Sequence, residues 1–105
     1  MPQFLFVYHG GKRPESEEEY NQVMAEWGAW FASMGESLAI PGNPVGMSKT
    51  VSRGGVADNG GANPVSGFTV IEAADIDAAI QTAKGCPMVV HNVGSVEVAE
   101  ITPLM

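Results

Sequence analysis

Two residues of this chain join a titratable group to a position that suits proton transfer. His9 closes an apolar run, Phe4-Leu5-Phe6-Val7-Tyr8, and precedes Gly10-Gly11, which let the backbone turn sharply. An imidazole at a strand end facing a cavity can give or take a proton near neutrality. Glu97 stands between Val96 and Val98, so alternation sends its carboxylate to the face opposite theirs. On a central strand that carboxylate is half-buried and needs a partner, for which Lys49, Arg53 or His9 could serve. The pair therefore reads as an acid/base, His9, with Glu97 as its charge partner or a substrate anchor. Asn43, Lys49 and Ser66 supply the polar contacts to a ligand. Each residue also has a plainer reading. His9 can simply satisfy a loop, Glu97 can be half of a structural ion pair that holds register, and Asn43 can be turn chemistry.

Other reactive groups carry less. Cys86 lies between Gly85 and Pro87, near a helix C-terminus, the wrong end of the dipole for thiol activation. His91 beside Asn92 reads as a turn residue, and two histidines without a third ligand at diagnostic spacing support no metal site. Ser48-Lys49-Thr50 lacks the Gly-x-x-x-x-Gly-Lys frame of a phosphate loop. With no cofactor fingerprint, the expected chemistry is cofactor-free.

Composition bounds the rest. One domain spans residues 1–105, with 45% hydrophobic and 16% charged residues, low in charge for a globular protein. So little charge leaves apolar surface to cover, which favours an oligomer. The net charge is −7, and five scattered cations make no basic face for nucleic acid or an anionic membrane. A single cysteine precludes an internal disulfide and fits a reducing cytoplasm, the expected location. The N-terminus lacks the charged start of a signal peptide, and no apolar run approaches the ~20 residues of a membrane span.

Two strand–helix–strand units must position these groups, one from Phe4 to about Ile40 and one from Phe68 to about Ile101. The first helix opens on a capping box, Ser16 with Glu19. It continues with Tyr20, Val23, Met24, Trp27, Trp30, Phe31 and Met34 at spacings of three and four, a broad apolar face. Core packing is the default for both tryptophans. Gly35 ends the helix. Ser37 to Ile40 is a short strand, Met47 to Arg53 an edge strand or hairpin arm, and Gly54 to Gly61 a loop. Ser66 to Glu72 is the next strand, with Phe68 and Val70 on one face and Thr69 and Ile71 on the other. Asp75 caps a helix with Ile76, Ala79, Ile80 and Ala83 as its stripe, ending at Gly85 and Pro87. Met88 to Val90 is a short apolar segment, Asn92 to Gly94 a turn, and Ser95 to Ile101 the last strand. The order β-α-β-β-α-β is the α+β, ferredoxin-like sandwich: an antiparallel sheet with both helices on one face. The other face is bare, and pairing of two copies would cover it and enclose a cavity.

The opening Phe4-Leu5-Phe6-Val7-Tyr8, the Trp-bearing first helix, Gly-Phe-Thr-Val-Ile-Glu at 67–72, the helix from Asp75 to Ala83 and Gly94-Ser95-Val96-Glu97-Val98 resemble the YCII-related (DGPF-type) family. The resemblance implies a ferredoxin-like fold that pairs as a dimeric α/β barrel. In place of an Asp-Gly-Pro-Phe signature stands Asp58-Asn59-Gly60-Gly61-Ala62-Asn63-Pro64, and the first helix contains no aspartate to complete the family's His/Asp pair. The leading expectation is a homodimer that binds a small molecule at the sheet face, with lyase- or isomerase-like acid/base chemistry. The rival is a non-catalytic scaffold that holds a protein partner through residues 41–67, where seven glycines and three prolines gather. A redox role for Cys86 ranks last.

Overall fold

The structure, a computed structural model, describes residues 1–104. β1 (Gln3–Gly10) lies inside a four-stranded antiparallel sheet of order β2-β5-β1-β6. Its partners are β5 (Val65–Glu72) and β6 (Gly94–Glu100), and β5 pairs on its other side with β2 (Leu38–Ile40). The two strand–helix–strand units therefore interlock, each inserting one strand between the two strands of the other. This is the ferredoxin-like α+β arrangement.

Alternation along β1 sorts the layers. Phe4, Phe6 and Tyr8 are buried against the helices, whereas Leu5, Val7 and His9 point to the opposite face and stay half-buried. α1 (Glu17–Met34) begins where Ser16 accepts a hydrogen bond from the Glu19 amide at 3.1 Å and ends at Gly35, whose φ of 57° suits glycine. Its Trp30 stacks on Phe6 with ring centroids 6.2 Å apart. The Trp30 indole N–H donates to the Thr82 carbonyl at 3.1 Å, joining α1 to α2 (Ile76–Ala83). Asp75 caps α2, and Ala79 and Ala83 are its buried residues; Ile76 and Ile80 lie near the rim and remain partly exposed. Cys86 is fully buried, and burial raises its thiol pKa.

Four local expectations need correction. β6 is an edge strand of the sheet, because β1 and β5 occupy its centre. Glu97 is accordingly well exposed, not half-buried. Residues 54–61, read as loop, contain β4 (Gly55–Ala57), which pairs with β3 (Thr50–Ser52) as a separate hairpin. Met88 to Val90 belongs to a one-turn helix, α3 (Pro87–Val90), with Pro87 at its first turn, where a missing N–H does no harm.

The β3–β4 hairpin is an arm. All six of its strand residues are exposed, and Met47 at its base is wholly so. The radius of gyration, 15.0 Å, exceeds the ~13 Å expected for a compact chain of this length. A projecting hairpin accounts for the excess.

Candidate functional site

Two His–Glu pairs stand out, and they lie on opposite sides of the sheet. The first is the pair expected from the sequence. Glu97 faces Val7 across the β1–β6 ladder, which puts it diagonal to His9 on the face away from the helices. His9 Nε2 lies 2.9 Å from Glu97 Oε1, and its Nδ1 lies 3.0 Å from the Asn63 carbonyl and 3.2 Å from that of Pro64. All three partners are acceptors, so the ring satisfies them only with a proton on each nitrogen. The hydrogen bond to Glu97 is the main cause that raises the His9 pKa; burial opposes it, and the Pro64 and Asn63 carbonyls add to the rise. His9 thus ties the return limb of the arm to the edge strand, and both of its nitrogens are engaged.

The second pair was not anticipated. It borders a cleft of about 610 Å³ on the helix side of the sheet. The same three-and-four spacing that builds the core face of α1 also turns Val23, Met24, Trp27 and Phe31 toward this cleft. The end of β1, residues 41–44, residues 66–69, Met88 and Val93 complete the walls. Tyr8 forms part of the floor, edge-on to Trp27 at 5.1 Å. Its hydroxyl donates to Thr69 Oγ1 at 2.6 Å, and Thr69 donates in turn to the Pro41 carbonyl at 2.8 Å. Burial raises the Tyr8 pKa far above neutrality, so this phenol orders the wall and does not exchange protons.

At the cleft's edge His91 Nε2 lies 2.6 Å from Glu26 Oε2. α3 places His91, whose backbone N–H donates to the Pro87 carbonyl at 3.0 Å, and the middle of α1 places Glu26. A carboxylate only accepts, so Nε2 is the nitrogen that donates to Glu26; among the described residues Nδ1 has no hydrogen-bond partner. Lys12, 3.7 Å from Glu19 on the same rim, is the cation of the cleft.

The five residues singled out in the sequence are therefore dispersed. His9 and Glu97 meet, away from the cleft. Asn43 and Ser66 line the cleft. Lys49 lies in the arm, paired with Asp58 at 3.0 Å. Sequence reading missed Glu26, His91 and the exposed side of Trp27. Glu26 and His91 are 65 residues apart, and no spacing links them. The one available signal was Glu26 beside an otherwise apolar helical face. Among the described residues no group of three or more His, Cys, Asp or Glu side chains gathers as a metal site, and no helix is long and apolar enough to cross a membrane.

Comparison with known proteins agrees with the fold. The chain is similar in structure to 5-chloro-2-hydroxyhydroquinone dehydrochlorinase (TftG) from Burkholderia phenoliruptrix, solved in complex with 2,5-dihydroxybenzoquinone. The TM-score is 0.55 at 16% identity, covering 93% of each chain. At that identity the likeness speaks for shared architecture alone. No curated protein matches the chain in sequence. The YCII-related domain family matches residues 4–105, nearly the whole chain, and this protein therefore belongs to the YCII-related family.

Proposed function

We propose that this protein binds a small, largely apolar ring compound in the cleft between α1, residues 41–44 and α3, and carries out cofactor-free acid/base chemistry on it, lyase- or isomerase-like in type. The cleft carries this reading. Its volume of about 610 Å³ lies in the range of small-molecule sites, and its apolar walls enclose a few polar groups, Asn43 and Ser66 among them. The dehydrochlorinase of like fold handles a hydroxylated ring and was solved with a quinone, which makes such rings the first ligands to try. In this reading His9 and Glu97 brace the fold and do not touch the ligand.

Trp27 lines the cleft while Trp30 is buried in the core, so tryptophan fluorescence reports occupancy. Titration with 2,5-dihydroxybenzoquinone and simple phenols is expected to give saturable quenching that Trp27→Phe abolishes. Native mass spectrometry is expected to show the matching adduct. Neither quenching nor adduct across the panel would sink the proposal.

The working unit is proposed to be a homodimer. Leu5 and Val7, half-buried on the face away from the helices, flank the buried Val70, and a second copy is the cover that their apolar surface calls for. A dimer mass that Val7→Asp converts to monomer is the expected result; a wild-type monomer would refute it. The projecting arm favours a second reading, a scaffold that holds a protein partner, since Met47, Val51 and Val56 are exposed along it. Loss of the dimer on replacing residues 47–60 with a short Gly-Ser turn would assign the arm to self-association instead.

A further inference from the structure

The geometry points to His91 as the general base of the cleft and Glu26 as the residue that positions it, acting on the O–H of a weakly acidic, planar ring compound. This rests on the cleft being the ligand site. Elimination within the cleft leads to His91. Tyr8 already donates to Thr69, and both carboxylate oxygens of Glu19 are engaged, one by Lys12 at 3.7 Å and one by the Glu15 amide at 3.3 Å; Asn43 and Ser66 carry no basic group. Glu26 is occupied by His91 at 2.6 Å. The Glu26 carboxylate selects the His91 tautomer with its proton on Nε2, which puts the lone pair of the neutral ring on Nδ1, a nitrogen that no other described group engages. His9 offers no such lone pair, since acceptors surround both its nitrogens.

The step balances without a co-reactant. The ligand O–H bond breaks, its electron pair stays on the ligand oxygen, and the proton moves to His91 Nδ1. The resulting imidazolium faces the Glu26 carboxylate, which stabilises it. The His91 side chain is 54% exposed, so the proton returns to water without rearrangement of the site. The cleft's apolar walls exclude a strongly hydrated anion as the starting ligand, and the chain's net charge of −7 disfavours one at a distance. A neutral acid that ionises only once bound fits both conditions.

The test uses 4-nitrophenol, whose ionised form absorbs at longer wavelength than the neutral one, at a pH where most of the free probe is neutral. Quenching of Trp27 measures binding, and visible absorbance measures ionisation of the bound probe. The wild-type protein is expected to raise the ionised fraction several-fold. His91→Gln is expected to bind the probe with similar affinity and return that fraction to the value of the free probe. Glu26→Gln is expected to give a partial loss, restored by Glu26→Asp. Equal ionisation in wild type and His91→Gln would overturn the dyad while leaving cleft binding intact. Full ionisation in Glu26→Gln would remove Glu26 from it. No quenching in the wild type would overturn both the dyad and the cleft reading.

Discussion

The two His–Glu pairs use the same side chains at nearly the same distance, 2.9 Å for His9–Glu97 and 2.6 Å for His91–Glu26, yet they are suited to different tasks. What separates them is the second ring nitrogen. In His9 it meets two backbone carbonyls, which demand a proton there and make the ring a cationic clasp between β6 and the arm. In His91 the carboxylate is the ring's single partner among the described residues, which leaves Nδ1 unengaged. A short contact to a carboxylate is thus no mark of catalysis by itself. The remaining valence of the imidazole decides, and only tertiary structure shows what fills it.

Gly94 offers the largest perturbation of this contrast, because it supports both regions at once. A Cβ there would lie 2.6 Å from the His9 carbonyl oxygen and 3.0 Å from the Gly11 amide, and would also strike the Met88 side chain. Met88 can move, but the backbone of the β1 end cannot move without disturbing the clasp. Gly94→Ala is therefore expected to lose about 1–3 kcal/mol by chemical denaturation, the usual scale of overpacking. Unchanged stability would mean that the β1–β6 junction is looser than its geometry.

His9→Gln should have a smaller effect, and one that depends on pH. The His9 pKa is raised in the folded protein, so its contribution is fully present below the unfolded value of ~6.5 and fades as pH rises through the folded value. At mildly acidic pH the substitution is expected to cost on the order of 1 kcal/mol, the scale of one partly exposed charged hydrogen bond. In alkaline buffer the variant and wild type should converge. A pH-independent difference in melting temperature would show that the ring acts by packing.

His91→Gln should affect stability least, by about 0.5 kcal/mol or less, as for surface positions generally. A large loss in thermal unfolding would turn His91 into a second clasp and erase the distinction drawn above.

Several elements were legible in the sequence because their causes are local. Ser16 with Glu19, the three-and-four spacing from Tyr20 to Met34 and the glycine at 35 specify α1 from its start to its end. Phe4 to Tyr8 is apolar on both sides, and it does form an interior strand. Other features depend on what is distant in the chain. β4 escaped notice because Gly55-Val56-Ala57 carries no strand signal and exists by pairing with β3. The edge position of β6 escaped because alternation reports faces and says nothing of strand order. Trp27 and Trp30 are three residues apart on one helix, yet Trp30 is buried against Phe6 and α2 while Trp27 lines the cleft beside Tyr8.

The β-α-β-β-α-β order, the faces of the main strands and the start and end of α1 follow from local sequence, because capping, periodicity and glycine punctuation act within a few residues. Tertiary structure alone decided that His9 is saturated, that His91 meets Glu26, and that a cleft opens on the helix side of the sheet. The first two depend on contacts between residues more than fifty positions apart, and the cleft on which elements pack together, where nothing in local composition records which groups will meet.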